Sequence, residues 1–190
     1  MPISAGKSGQ SRPSGQYPRN AAETRQRILA AASTLFSQDI YKNVGTRDIA
    51  AAAGVNLTLI NRYFGSKKQL FREVILSMKN FMPASNSKQF EREVMTDLLA
   101  EGNNSRKQKL RLLLMGAMDS EVSDVITEFL QRRKGRMFGS GQGGDESRDF
   151  LRLASLVGIA LTFFLLPEED RARLDKGVIL DHFLQSLEEA

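Results

Sequence analysis

The chain has no cysteine, no tryptophan and a single histidine, His182, in 190 residues. Without cysteine there is no disulfide framework, no thiolate zinc site and no thiol nucleophile. His182 lies on an apolar stripe near the C-terminus, where a packed or interfacial role fits better than that of a general base or metal ligand. Long hydrophobic runs are also missing. The longest mostly apolar stretch, residues 154–166, would span about 20 Å as a helix. A bilayer core needs about 30 Å, so this stretch is expected to be buried in protein. The N-terminus lacks the apolar run of a signal peptide. These absences fit a soluble, cytoplasmic protein in a reducing compartment. No P-loop or His-rich metal motif occurs. Gly139-x-Gly141-x-x-Gly144 matches a dinucleotide-binding pattern by letters, but it follows a polar segment that does not read as a buried strand. The sequence therefore predicts no enzyme, no cofactor and no metal.

What is present is an ordinary globular composition, 41% hydrophobic and 26% charged, with an uneven charge distribution. Residues 1–70 hold ten Lys/Arg against three acids, and the remaining 120 hold seventeen against nineteen. A basic front and a near-neutral rear suggest that the front meets a polyanion. A merely solvated basic surface would have the same charge balance.

Residues 1–19 are rich in Ser, Gly, Pro and Gln and carry Lys7, Arg12 and Arg19 with no acid. They are expected to form a disordered basic tail, inert or laid along a DNA groove. Order is expected from Asn20, whose spacing to Glu23 is that of a capping box. Ile28, Ala32, Leu35 and Phe36 then recur at helical spacing. A turn at 39–45 precedes a short helix from Thr46, an expected N-cap. Gly54 suits a left-handed turn. Asn56 is a natural N-cap for a second short helix ending near Phe64, with Leu59 or Ile60 pointing inward. Ser66 with Gln69, and Ser105 with Gln108, repeat the capping-box spacing. Further helices are expected over about 67–81, 87–101, 106–118, 120–137, 146–166 and 171–188. Pro167 ends one of these or opens the next. No segment alternates long enough to be a confident strand. The expected fold is all-α.

Two short helices joined by a tight turn make a helix-turn-helix. The residues then match a known pattern. Thr24-Arg25-x-x-Ile28-Leu29-x-Ala31-Ala32-x-x-Leu35-Phe36 resembles the first helix of the tetracycline-repressor (TetR) family. Thr46-Arg47-Asp48-Ile49-Ala50-x-x-Ala53-Gly54-Val55 resembles its second helix and turn. Ile60-Asn61-Arg62-Tyr63-Phe64-Gly65-Ser66-Lys67-Lys68-Gln69-Leu70 resembles its recognition helix and the start of helix four. The resemblance covers roughly residues 24–72. It implies a three-helix DNA-binding domain, about 20–66, and a helical ligand-binding and dimerisation domain, about 67–190.

By this resemblance the recognition helix enters the major groove of duplex DNA. Arg47, Asn56, Leu57, Thr58 and Asn61 are then candidates at base edges, with Arg suited to guanine. Thr46, Tyr63 and Lys67 are candidates on the backbone, Lys67 through its charge or its backbone N–H. Each has a structural alternative: Thr46 as a cap, Tyr63 as a packing aromatic, Asn61 as a solvated helix residue. Two departures stand out. Asn61 stands where many relatives have tyrosine, and Leu57 where a polar residue is common.

One helix-turn-helix makes few contacts, so a homodimer on a near-palindromic operator is expected. Leu153, Val157, Leu161 and Phe164, with Ile179, His182 and Phe183, are its candidate interface. The resemblance also implies a small-molecule effector that lowers DNA affinity. Met78, Phe81, Met95, Met115, Met118, Phe129 and Met137 are candidate pocket residues, since methionine adapts to irregular cavities. They are equally good core filler. The expected function is a ligand-responsive repressor. An activator or dual regulator on the same fold, or an interaction module that has lost DNA binding, are the alternatives.

Overall fold

The structure is a computed structural model. It describes residues 16–78, 88–102, 104–132 and 146–189. Among these are ten helices and no strand. They are α1 (Gln16–Gln38), α2 (Thr46–Ala53), α3 (Leu57–Phe64), α4 (Lys67–Ser77), α5 (Lys88–Leu99), α6 (Ser105–Met118), α7 (Ser123–Gln131), α8 (Glu146–Leu165), α9 (Glu168–Arg173) and α10 (Lys176–Glu189). The fold is all-α. Among the described residues no helix is long and apolar enough to cross a membrane.

α1 begins earlier than its sequence suggests. It runs through Pro18, which is tolerated in a first turn because its missing N–H has no intrahelical partner there. Asn20 is therefore inside the helix and does not cap it. Ile28, Ala32 and Phe36 form its buried face, four residues apart. Phe36 stacks on Tyr41 at 5.6 Å and meets the edge of Phe71 at 5.1 Å; Tyr41 meets Phe71 at 5.4 Å. This aromatic trio closes α1, the turn after it and α4 around one point.

α4 joins front to rear. Leu70, Phe71, Val74 and Ile75 are buried, and Arg72 donates to Glu128 of α7 at 2.6 Å. Gly116 of α6 lets this joint close. A Cβ there would lie 2.8 Å from Phe71 Cζ and 2.9 Å from Ile126 Cδ1. A smaller second core gathers Met95, Leu99, Phe163 and Phe183 from α5, α8 and α10.

Several expected boundaries move for local reasons. α6 is capped by Asn104, whose Oδ1 accepts from Lys107 N–H at 2.9 Å, so Ser105 is already helical. α4 stops at Ser77. The expected helix over 120–137 is described only to Gln131. The last expected helix is two: Pro167 caps α9, and Asp175 then accepts from the N–H groups of Gly177 and Val178 to start α10.

Candidate nucleic-acid interface

The front three helices hold α3 by local chemistry. α2 is capped by Gly45, not by Thr46, because Asp48 Oδ2 returns to accept from Gly45 N–H at 3.2 Å. A Cβ at this position would sit 2.6 Å from that oxygen. Thr46 is thereby the first helical residue, and its half-buried hydroxyl is not used as a cap. Gly54 turns the chain at φ +64°, with its N–H on the Ala51 carbonyl at 3.1 Å and Val55 N–H on Ala50 at 3.0 Å. Asn56 Oδ1 accepts from Thr58 N–H at 2.9 Å and so starts α3.

Of the two inward candidates on α3, Ile60 is fully buried and Leu59 is half-buried. Phe64 is buried beneath Arg25, whose guanidinium lies 5.1 Å over the ring and pairs with Glu73 at 2.9 Å. Arg25 thus fastens α1 to both α3 and α4. With that face inward, Asn56, Thr58, Asn61 and Arg62 are exposed. Leu57 and Tyr63 are half-buried, packed against the core. Arg47 is exposed at the start of α2. Arg27, Lys42, Arg47 and Arg62 are exposed cations with no carboxylate partner among the described residues. Unpaired charge of one sign on one small domain suits a polyanion.

Lys67 differs from the other cations. Its ammonium lies 4.1 Å over the Tyr41 ring and 3.4 Å from the Lys42 carbonyl oxygen. Burial holds its pKa below the usual lysine value, against the opposing pull of Glu121 and Asp119. The same burial, with those two carboxylates, pushes Tyr41 up to about 12, so its hydroxyl stays protonated. The Lys67 charge is therefore spent within the protein. Ser66 caps α4 by accepting from Gln69 N–H at 3.1 Å, and the N–H groups of Lys67 and Lys68 have no acceptor among the described residues. Free amides at a helix start suit an anion. Lys67→Ala is expected to lose about 1 kcal/mol of stability with its cation–π contact, while the salt dependence of duplex binding stays unchanged. Thermal melting and a salt titration measure the two separately.

The other candidate residues are spread over the two cores and the surface. Met78 and Phe129 lie in the main core and Met95 in the second. Met115 is half-buried. Met118 is 88% exposed at the end of α6. Phe81 and Met137 lie outside the described residues. Phe183 is 2% exposed and lies inside the second core. Leu153, Val157, Phe164 and Ile179 are half-buried, Phe164 against the main core and Ile179 against the second. Leu161 and His182 are exposed. The exposed apolar stripe of α8 is instead Leu151, Ala154, Gly158, Leu161 and Leu165, spaced three and four apart.

Residues 28–74 match the model of the tetR family of bacterial regulatory proteins. This segment is similar to the DNA-binding part of that family. The match spans α1 from Ile28, the whole helix-turn-helix and most of α4. No curated protein sequence matches the chain. Solved structures match most of the chain's length in fold. NalD of Pseudomonas aeruginosa, described as the secondary repressor of the MexAB-OprM multidrug efflux pump, is 19% identical, with a TM-score of 0.60 over 89% of this chain and 96% of that one. The multidrug-binding protein EbrR, solved with malachite green, is 18% identical, with a TM-score of 0.62 over 87% and 96%. A TetR transcriptional regulator from Rhodococcus sp. RHA1 is 17% identical, with a TM-score of 0.54 over 89% and 97%. At these identities the likeness is one of fold.

Proposed function

We propose that the chain is a TetR-family regulator, a homodimeric repressor that binds a near-palindromic operator and is released by a small-molecule effector. The observation that carries this reading is the exposed, polar face of α3, on a helical unit whose Arg27, Lys42, Arg47 and Arg62 are exposed with no acid partner among the described residues. Asn56, Leu57, Thr58 and Asn61 on α3, with Arg47, read bases in the major groove. Thr46, Tyr63 and the backbone N–H of Lys67 hold phosphates. The units are two domains, one from α1 to about residue 66 for DNA and one of about 67–190 for dimerisation and ligand. The protein works in the cytoplasm and carries out no catalysis. Repression and effector release are favoured because NalD is described as a repressor and EbrR as a multidrug-binding protein.

The dimer reading is supported by the stripe on α8. Leu151, Leu161 and Leu165 are 56%, 41% and 76% exposed, and a Cβ at Gly158 would meet nothing within 4 Å. Small residues between large apolar ones invite a second helix close in. Val178 and His182 of α10 are exposed too.

A paired measurement tests this. Sedimentation at micromolar protomer is expected to give twice the chain mass. Leu161→Arg with Leu165→Arg is expected to give a monomer. Duplex affinity should fall with salt at a slope near −5 on logarithmic axes for about six phosphates. A wild-type monomer would refute the dimer, and a flat salt response would refute the DNA interface.

A further inference from the structure

The α5–α6 turn faces α8, α9 and the start of α10 across a cavity of about 410 Å³. That size is within the range of small-ligand sites, roughly 300–1,000 Å³. Four cations border it: Lys107, Arg111, Arg171 and Lys176. Two acids, Glu101 and Glu168, border it as well. Lys176 is already paired with Glu101 at 3.1 Å. Arg111 and Arg171 have no carboxylate partner among the described residues.

Lys107 is only 6% exposed. Its ammonium donates to the carbonyls of Ala100 and Gly102 at the end of α5, the latter at 3.0 Å. It also lies 5.6 Å from the centre of the Phe163 ring, as does the Arg171 guanidinium. Burial, and then the charges of Arg171 and Lys176, hold the Lys107 pKa below the ordinary lysine value against the pull of Glu101. Cations gathered around a partly enclosed space repel one another, and an anion between them removes that cost. The remaining wall is aromatic, from Phe163 and Phe164.

We propose that this cavity binds a small organic anion, its acidic group held by Arg111 and Arg171 and its apolar body laid against Phe163 and Phe164. Two forked guanidinium groups suit a carboxylate, sulfonate or phosphate equally. The bound anion ties α6 to α8 and α9. α6 packs on α1 of the reading head and, at Gly116, against Phe71 of α4, and α8 carries the exposed apolar stripe. A ligand joining them biases the head-to-head spacing in a dimer. That consequence rests on the function proposed above, whereas binding itself does not.

The test uses the full chain and two dyes that differ by one group. 8-Anilinonaphthalene-1-sulfonate carries a sulfonate, and N-phenyl-1-naphthylamine is the same body without it. The sulfonate is expected to bind one per protomer, and Arg111→Gln with Arg171→Gln should weaken it at least about tenfold. The neutral dye should bind both proteins alike, which shows that the cavity survives. Equal sulfonate binding by wild type and variant would overturn the site. If the variant loses both dyes, Arg111→Lys with Arg171→Lys decides. Sulfonate binding restored there supports the site, and its continued absence overturns it. Duplex affinity with and without the sulfonate is read separately. Binding through the arginines with no effect on DNA would leave the site standing and overturn its effector role.

Discussion

Phe71→Ala is expected to remove about 3–5 kcal/mol of stability, the range for truncating a buried aromatic ring. Small domains hold only about 5–15 kcal/mol in total, so the loss is a large share. The ring is 1% exposed and touches the edges of Phe36 and Tyr41. Its Cζ also fills the space over Gly116 of α6. Truncation leaves a hole where α1, α4 and α6 meet, and Gly116 has no side chain with which to fill it. Urea denaturation followed by far-ultraviolet circular dichroism measures the loss, at matched protomer concentration because a dimer's stability depends on it. A change under about 1 kcal/mol would mean that α4 is not the joint described here.

Asn61→Ala is expected to act in the opposite way, on binding and not on folding. Asn61 is exposed, and the hydrogen bond it accepts from Gly65 N–H is made by its backbone carbonyl, so truncation leaves that bond in place. Surface changes of this kind usually shift stability by less than about 0.5 kcal/mol. A good side-chain pair to a base is worth about 1–3 kcal/mol. A dimer carries the change twice, so operator affinity should fall by about 2–6 kcal/mol, or from roughly thirtyfold to more than ten-thousandfold. Binding to unrelated duplexes should stay nearly constant, because the phosphate contacts are untouched. Equal losses on operator and non-operator DNA would move Asn61 from the bases to the backbone.

The reading head was legible because its signals are local. Gly54 needs the left-handed turn, Asn56 caps within two residues, and the apolar spacing of α1 and α3 fixes which faces turn inward. Even there, neighbours of similar chemistry blurred the caps. Gly45 displaced Thr46 because Asp48 folds back onto its N–H, and Asn104 displaced Ser105 by reaching Lys107 first.

The rear was less legible because its pairings are distant in sequence. The apolar residues of α8 point all around the helix, so composition does not fix their phase. Only packing on α5 and the main core shows that Ala160 and Phe163 are covered while Leu151, Leu161 and Leu165 are not. Phe183 sits on the same stripe as His182, yet it turns into its own protomer. Tyr41 lies twenty-six residues before the Lys67 that rests on its ring, and no spacing rule links them. Methionine gave the weakest guide. Its flexibility suits core and pocket alike.

The central claim is that two copies of α3 read two halves of one operator. Selection of bound duplexes from a random pool, followed by sequencing, tests it most directly. The account predicts an enriched inverted repeat with half-sites whose centres are about one helical turn, 34–36 Å, or a multiple of it apart. Enrichment of a single unrepeated site, or of no sequence at all, would contradict it.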